Sequence, residues 1–255
     1  GTQPLGNEDG SIWVCFNGEI YNYRQLTDQL RQRGHRLRTE CDTEVIVHLY
    51  EDFGEAFVEH LNGMFAIALW DKNQRKLILA RDRLGIKPLY WHDDGRRVLF
   101  GSELKALSAF GDWDQHIDPC AVQDYLTFGH VPAPRTIYRS VRKLEPGTMA
   151  VCRASGTMIR RYWDIPFRDD TQVHTESAWI EEFAAELKNA VGLQMISDVP
   201  LGAFLSSGVD SSTIVAAMCR QASGRVLTQT AGFREDTHDE RAAARNFAER
   251  LDCEH

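Results

Sequence analysis

The first third of the chain shows one strand-like run of apolar residues, followed by two helix-like patterns. Residues 12–16 predict a strand, and Asn17 and Gly18 after it have the composition of a hairpin turn. Residues 22–34 predict an amphipathic helix. A second helix follows Asp42, which we expect to be its N-cap, because apolar residues then recur on one helical face.

From residue 64 the pattern changes to short apolar runs separated by polar or Gly/Pro-containing connections. The runs that predict strands are residues 64–70, 76–81, 89–91, 98–100, 148–153 and 158–162. Their close spacing favours antiparallel pairing, since parallel strands need longer crossovers. Asp118 and Pro119 predict the start of a helix that runs to residue 126.

The pattern changes again after a polar segment, residues 165–174, which we interpret as a linker. Trp179, Phe183, Leu187 and Val191 then recur at four-residue spacing, which predicts a long helix. Strands and helices alternate from there, at residues 199–205, 211–222, 226–233 and 239–251. That alternation favours a doubly wound parallel sheet, so the sequence predicts an α/β protein with an antiparallel first domain and a parallel second domain.

Composition and charge narrow the function. The 255 residues are 43% hydrophobic and 26% charged, as in ordinary globular proteins. The longest apolar run, residues 64–70, is far shorter than the ~20 residues that span a bilayer, so we expect no membrane partner. The net charge of −8 and the absence of a basic block argue against nucleic acid as a partner.

Cysteine, histidine and acidic residues give no metal-site pattern. The six cysteines are far apart and predict reduced, mostly buried thiols of a cytoplasmic protein: Cys15, Cys41, Cys120, Cys152, Cys219 and Cys253. The histidines show no ligand spacing. The acidic run at residues 236–240 is interpreted as favourable charge at a helix start rather than a metal site.

Residues 200–212 carry the strongest chemical signal. An apolar strand ends, a Ser/Gly loop turns, and a helix begins, so backbone N–H groups and hydroxyls converge beside the positive end of the helix dipole. This arrangement predicts an anion site, although the Walker pattern GxxxxGK[ST] and its lysine are absent. A serine-rich turn that only caps the helix is the local alternative.

Within this segment, residues 206–211 resemble the PP-loop, Ser-Gly-Gly-x-Asp-Ser, of ATP pyrophosphatases, and residues 196–200 resemble the flank found in glutamine-dependent asparagine synthetases. The resemblance implies a Mg²⁺ ligand at Asp210. It implies ATP contacts at Leu205, Ser206, Ser207, Gly208, Val209, Asp210, Ser211, Ser212 and Ala231. Ser207 departs from the pattern, which has glycine there, and its Cβ restricts the backbone and the room for phosphate.

Residues 16–22, Phe-Asn-Gly-Glu-Ile-Tyr-Asn, resemble a motif of class II glutamine amidotransferases. The resemblance implies that Asn17 and Gly18 supply the oxyanion hole for glutamine hydrolysis. It also implies that Glu19 and Asp42 bind the glutamine substrate, Asp42 through the α-amino group. The hairpin turn is the structural alternative for Asn17 and Gly18, whereas the helix cap is compatible with the substrate role of Asp42.

Residues 61–66, 80–90 and 102–106 match the same family in order. On the residues alone, the Arg-Asp-Arg run 81–83 is interpreted as a solvated ion-pair cluster. The family nucleophile is an N-terminal cysteine whose own amine acts as base. Residue 1 here is Gly1, and Cys15, which shares the strand face of Asn17, lacks that amine, so we expect an internal piece of a longer enzyme.

The resemblance implies an αββα sandwich of the N-terminal-nucleophile type over residues 1–164. It implies a Rossmann-like ATP-pyrophosphatase domain over residues 175–255, with both domains incomplete. The implied activity is asparagine synthesis from aspartate, glutamine-derived ammonia and ATP·Mg²⁺, through β-aspartyl-AMP. The alternatives are another carboxylate-adenylating amide ligase, similar to β-lactam synthetase, and a non-catalytic relative without glutaminase activity. Glutamine, aspartate and ATP are the expected partners, and a homodimer is left open.

Overall fold

The chain forms two compact units, residues 1–167 and residues 168–255, in a computed structural model that describes residues 2–167, 175–197, 199–232 and 239–255. The strands of the first unit are β1 (Leu5–Gly6), β2 (Ile12–Ile20), β3 (Gly63–Asp71), β4 (Lys76–Arg81), β5 (Tyr90–Asp93), β6 (Val98–Gly101), β7 (Arg142–Lys143), β8 (Thr148–Arg153) and β9 (Gly156–Arg161). Its helices are α1 (Tyr23–Gln32), α2 (Glu44–Phe53), α3 (Leu104–Ser108) and α4 (Pro119–Phe128), with a 3₁₀ helix at Gly54–His60.

Six of these strands form one antiparallel sheet in the order β1-β2-β3-β4-β8-β9, and β6-β5-β7 form a second antiparallel sheet. Alternate residues of β3 face opposite sides: Phe65 and Ile67 join the core under α1 and α2, whereas Ala66 and Ala68 join the core shared with β5. The large sheet therefore lies between the helices α1 and α2 and the smaller sheet. The predicted antiparallel pairing is confirmed, and the fourth, helical layer remains a prediction.

Two local predictions are wrong at the end of β2. Asn17 and Gly18 do not form a hairpin turn: β2 continues to Ile20, with Asn17 opposite Ala66 and Gly18 opposite Phe65 of β3. Long-range pairing with β3 outweighs the local turn preference. Asp42 is not the cap of α2 either, because its carboxylate bonds to β2, and the helix begins after Thr43 without a side-chain cap.

Other predicted elements are confirmed. Asp118 caps α4, since its Oδ1 accepts a hydrogen bond from Cys120 N at 2.9 Å and Pro119 occupies the first turn. Residues 148–153 and 158–162, both predicted as strands, form the antiparallel pair β8 and β9, with Thr148 opposite Arg161.

The second unit contains α5 (Glu176–Gln194), β10 (Gly202–Phe204), α6 (Val209–Cys219), β11 (Leu227–Gln229) and α7 (Arg241–Arg250). β10 and β11 are parallel, as predicted, and Glu254 adds a parallel bridge beside Leu227. The long helix is confirmed, but Trp179 and Phe183 on its predicted apolar stripe are exposed. The doubly wound arrangement remains a prediction, as does the linker over residues 165–174, of which residues 168–174 lie outside the described residues.

Among the described residues, no helix has the length and apolarity that crossing a bilayer requires. The six cysteines are free, as predicted, but the prediction that most are buried is wrong: only Cys152 and Cys253 are buried. Cys15 lies on the exposed face of β2, and Cys120 lies in the exposed first turn of α4.

Candidate functional site

Gly18 marks the closest approach of two backbones in the first candidate site. A Cβ added at this position would lie 2.0 Å from the carbonyl oxygen of Met64 and 2.8 Å from Cα of Phe65. In an antiparallel ladder, the pair without mutual hydrogen bonds brings its Cα atoms closest, and Gly18 and Phe65 are such a pair. Glycine is therefore required here by strand packing and not by a turn.

The backbone N–H of Gly18 points away from β3, along an edge of β2. Its neighbours on that edge are Phe16 N, which donates to Oε1 of Gln3 at 2.6 Å, and Ile20 N, which donates to Oδ2 of Asp42 at 2.9 Å. Because N–H groups two residues apart point the same way along a strand, Gly18 N lies between these two donors. The Asp42 carboxylate is therefore bonded to Ile20 N, the next outward-pointing N–H after Gly18 N on this edge of β2.

Asn17 lies on the exposed face of β2, and its Nδ2 donates to Oγ of Ser102 at 3.1 Å. Ser102 orients this amide and was not identified from the sequence as its partner, although it opens one of the matching motifs. Glu19 and Cys15 share the exposed face with Asn17, as the strand period predicts. Partial desolvation by neighbouring atoms raises the pKa of the Cys15 thiol even at this exposed position, so that thiol is not activated.

The solvated ion-pair interpretation of residues 81–83 is wrong, because Asp82 is 1% exposed and bonds to backbone groups. Its two carboxylate oxygens accept from Phe65 N, Leu84 N, Ile86 N and Lys87 N, at 2.9 to 3.1 Å. Arg81 donates to three carbonyl oxygens in the same way. Asp82 thus fixes Phe65, the strand partner of Gly18, and this scaffolding role was not predicted.

The second candidate site lies where β10 and β11 end. Leu205 follows β10, is 2% exposed, and donates its N–H to Gln229 O at 2.8 Å, while its carbonyl accepts from Thr230 Oγ1 at 2.6 Å. Ala231 follows Thr230 and is exposed. The carboxyl ends of two parallel strands therefore place Leu205 and Ala231 at one edge, where ligands of open α/β sheets bind.

The Ser/Gly loop between β10 and α6 is held by its own hydroxyls. Ser206 Oγ lies 2.7 Å from Ser211 Oγ and accepts from Gly208 N at 3.2 Å, and Ser206 N donates to Ser211 Oγ at 3.1 Å. Gly208 is the N-cap of α6 without a side-chain cap, and its carbonyl accepts from Ser212 N. The exposed Val209 and Asp210 lie in the first turn of α6, directly after the loop.

Glu240 places a carboxylate on this loop. Its Oε1 accepts from Ser207 Oγ at 2.8 Å and its Oε2 lies 3.4 Å from Ser207 N. The sequence interpretation of residues 236–240 missed this contact, and residues 236–238 lie outside the described residues. Ser207 has a negative φ, so the serine that replaces glycine causes no backbone strain.

The chain belongs to the glutamine amidotransferase family, because the model of the glutamine amidotransferase domain matches residues 1–163. Residues 182–255 match the model of asparagine synthase. The two matches follow each other in one chain, as the motifs indicated.

The chain is also similar to individual curated proteins. Asparagine synthetase [glutamine-hydrolyzing] 1 of Bacillus subtilis is 38% identical over 256 residues, which cover 100% of this chain and 40% of the relative. A putative asparagine synthetase 2 of Methanocaldococcus jannaschii is 37% identical over 86% of this chain and 45% of its own length. Amidase chry2 of Gibberella zeae is 33% identical over 84% of this chain and 32% of its own length. The chain thus spans less than half the length of each of these relatives.

Among solved structures, the glutamine phosphoribosylpyrophosphate amidotransferase of B. subtilis, complexed with ADP and GMP, is similar at 20% identity. The match covers 92% of this chain and 50% of that chain, with a TM-score of 0.45. This likeness is too low to support an inference about the site.

Proposed function

We propose that this chain supplies the glutamine site and the ATP loop of a glutamine-dependent asparagine synthetase. The observation that carries the proposal is the succession of the two matched domains in one chain. It is supported by geometry in each unit. Ile20 joins Asp42 to the strand of Asn17 and Gly18, and residues 206–208 form a hydroxyl-bonded loop that leads from β10 into α6.

In the glutaminase half, Gly18 N–H and the Asn17 amide are the donors for the oxyanion that forms when the glutamine carboxamide is attacked. Such donors stabilise the transition state because they are aimed before the charge develops. Asp42 is half-buried and held at Ile20 N, so its carboxylate is positioned to pair with the substrate α-ammonium group. Glu19 lies on the face of Asn17 and completes the substrate contacts.

The loop from Leu205 to Ser212 fits the pyrophosphate end of ATP. Ser207 N and Oγ already engage one carboxylate, that of Glu240, so these groups are aimed at an anion. Phosphate oxygens would take the place of this carboxylate at the helix N-terminus. Asp210 would hold Mg²⁺, which neutralises pyrophosphate charge when bound.

The proposed reaction forms β-aspartyl-AMP from aspartate and ATP with release of pyrophosphate, and ammonia then displaces AMP to give asparagine. Residues that would select aspartate are not among those assigned. The similarity to amidase chry2 favours a second candidate, an amide ligase of the same chemistry with a different acceptor carboxylate.

The proposal is tested by expressing the complete reading frame that contains this sequence, called the complete protein below. The assay supplies ATP, Mg²⁺, glutamine and one of several carboxylates, and measures AMP, pyrophosphate and amide product. Aspartate-dependent formation of asparagine, AMP and pyrophosphate in equal amounts supports the synthetase. Turnover with another carboxylate supports the second candidate, and no carboxylate-dependent pyrophosphate release contradicts both.

A further inference from the structure

Two histidines and a glutamate converge in the first unit, apart from the residues assigned to glutamine. His48 and Glu51 lie one turn apart on α2, and His35 lies on the segment between α1 and α2. Glu51 Oε2 is 2.7 Å from Nδ1 of His48 and 3.4 Å from Nδ1 of His35. One potential ligand atom from each residue lies within 4.8 Å of the other two.

Each imidazole in this cluster lies between two carboxylates. Nε2 of His35 is 3.0 Å from Oδ1 of Asp52, on the side opposite Glu51. Nε2 of His48 is 3.8 Å from Oε1 of Glu44. A neutral imidazole has only one N–H, so when the His35 ring donates from Nε2 to Asp52, its Nδ1 lone pair faces Glu51 Oε2 at 3.4 Å. A cation between the two Nδ1 atoms and Glu51 replaces this repulsive contact with coordination.

The groups around the cluster have the arrangement that supports metal ligands. A ligating histidine usually donates its other N–H to a carboxylate, and Asp52 is placed to accept it from His35. The second oxygen of Glu51, Oε1, accepts from Nδ2 of Asn7 at 2.8 Å, which orients the carboxylate. The separations of Glu51 Oε2 from the two Nδ1 atoms, 2.7 and 3.4 Å, bracket the ~3.3 Å between ligand atoms in tetrahedral zinc sites.

We propose that His35, His48 and Glu51 bind one Zn²⁺ ion or a similar first-row divalent cation. The side chain of His48 is 1% exposed, whereas those of His35 and Glu51 are 17% and 25% exposed, so water has access to complete the coordination. The ion links His35 to His48 and Glu51 of α2. It thereby cross-links the segment between α1 and α2, which contains Asp42, to that helix. The sequence interpretation missed this site, because His35 is 13 positions before His48.

The proposal is tested on the 255-residue protein after dialysis against a chelator under reducing conditions. Zn²⁺ is titrated in competition with a chromophoric chelator, and Co²⁺ is added separately to record its visible spectrum. The variants are His35→Ala and Glu51→Gln, both at partly exposed positions. The matched control is His116→Ala, which removes an exposed histidine paired with Asp114.

We expect one equivalent of Zn²⁺ to bind the wild type and the control, and a Co²⁺ spectrum without thiolate charge-transfer bands. Each of the two variants should bind Zn²⁺ at least about 100-fold more weakly, since losing an outer partner alone costs about 10–100-fold. Zn²⁺ should raise the melting temperature of the wild type and the control only. No Zn²⁺ binding by the wild type, equal binding by the variants, a thiolate-type spectrum, or loss of binding in the control would overturn the proposal.

Discussion

The carboxylate of Asp42 accepts a hydrogen bond from the backbone N–H of Ile20, with Oδ2 2.9 Å from the nitrogen. This bond ties the segment before α2 to the strand edge that carries Gly18, across 22 positions of sequence. It also explains why Asp42 does not cap α2.

Asp42→Asn separates the structural role of this carboxylate from its proposed charge role. The amide oxygen still accepts from Ile20, so we expect an almost unchanged melting temperature. In the complete protein the KM for glutamine should rise about 10- to 100-fold, the worth of one hydrogen bond to a charged group. Thermal melts and glutaminase kinetics measure the two effects. Asp42→Ala should both lower the melting temperature and raise the KM for glutamine. An unchanged KM in Asp42→Asn would remove Asp42 from the glutamine site.

Gly18→Ala tests the close approach of β2 and β3. The new Cβ would overlap the Met64 carbonyl, so the strands must separate, and we expect the free energy of unfolding to fall by about 3 kcal/mol. Gly224→Ala is the matched control, since nothing lies within 4 Å of its added Cβ. Denaturant unfolding of both variants checks this. Equal stability of the two would mean that the β2–β3 contact at Gly18 is wrongly described.

Asn17→Ala removes one of the two proposed oxyanion donors, at an exposed strand position. Loss of one such donor lowers the rate by about 10²–10³, so glutamine-dependent synthesis by the complete protein should fall by that factor. Synthesis from added ammonium should be spared, because it bypasses glutamine hydrolysis. Both rates are measured with the same enzyme preparation. If they fall together with the melting temperature, Asn17 acts through the fold instead.

Cys253 gives a pH prediction in the second unit. Burial, and a hydrogen bond with the Cys219 thiol at 3.5 Å, raise the pKa of Cys253 to about 11. Its alkylation rate should therefore rise about tenfold per pH unit up to pH ~11, since only the thiolate reacts. The folded state holds this proton more tightly than the unfolded chain, so stability should decline as the pH rises from ~8.5 to ~11. Mass spectrometry of iodoacetamide-labelled peptides follows the rate, and a plateau near pH 9 would contradict the raised pKa.

Local patterns in the sequence predicted elements whose determinants are themselves local. Asp118 and Pro119 start α4, and the apolar runs at residues 148–153 and 158–162 predicted β8 and β9. The hairpin turn predicted at Asn17 and Gly18 does not form, because Gly18 makes a close contact with β3, a strand more than 40 positions away.

The candidate sites follow the same division. The Ser/Gly loop was predictable, since Ser206 to Ser211 bond within the loop itself. Glu240 on Ser207 was not, because these residues are 33 positions apart and join through the packing of the second unit. The scaffold role of Asp82 was likewise hidden, since its charged neighbours suggested solvent exposure while its partners are backbone groups.

The central claim is that the loop beginning at Leu205 holds ATP and that Asp210 holds its metal, separately from glutamine hydrolysis. The test uses the complete protein carrying Asp210→Ala and measures aspartate-dependent pyrophosphate release and glutamine hydrolysis. The control variant is Glu186→Ala, at an exposed position of α5. The account predicts that pyrophosphate release is abolished in Asp210→Ala alone while glutamine hydrolysis is retained in both variants. Unchanged pyrophosphate release in Asp210→Ala would contradict it.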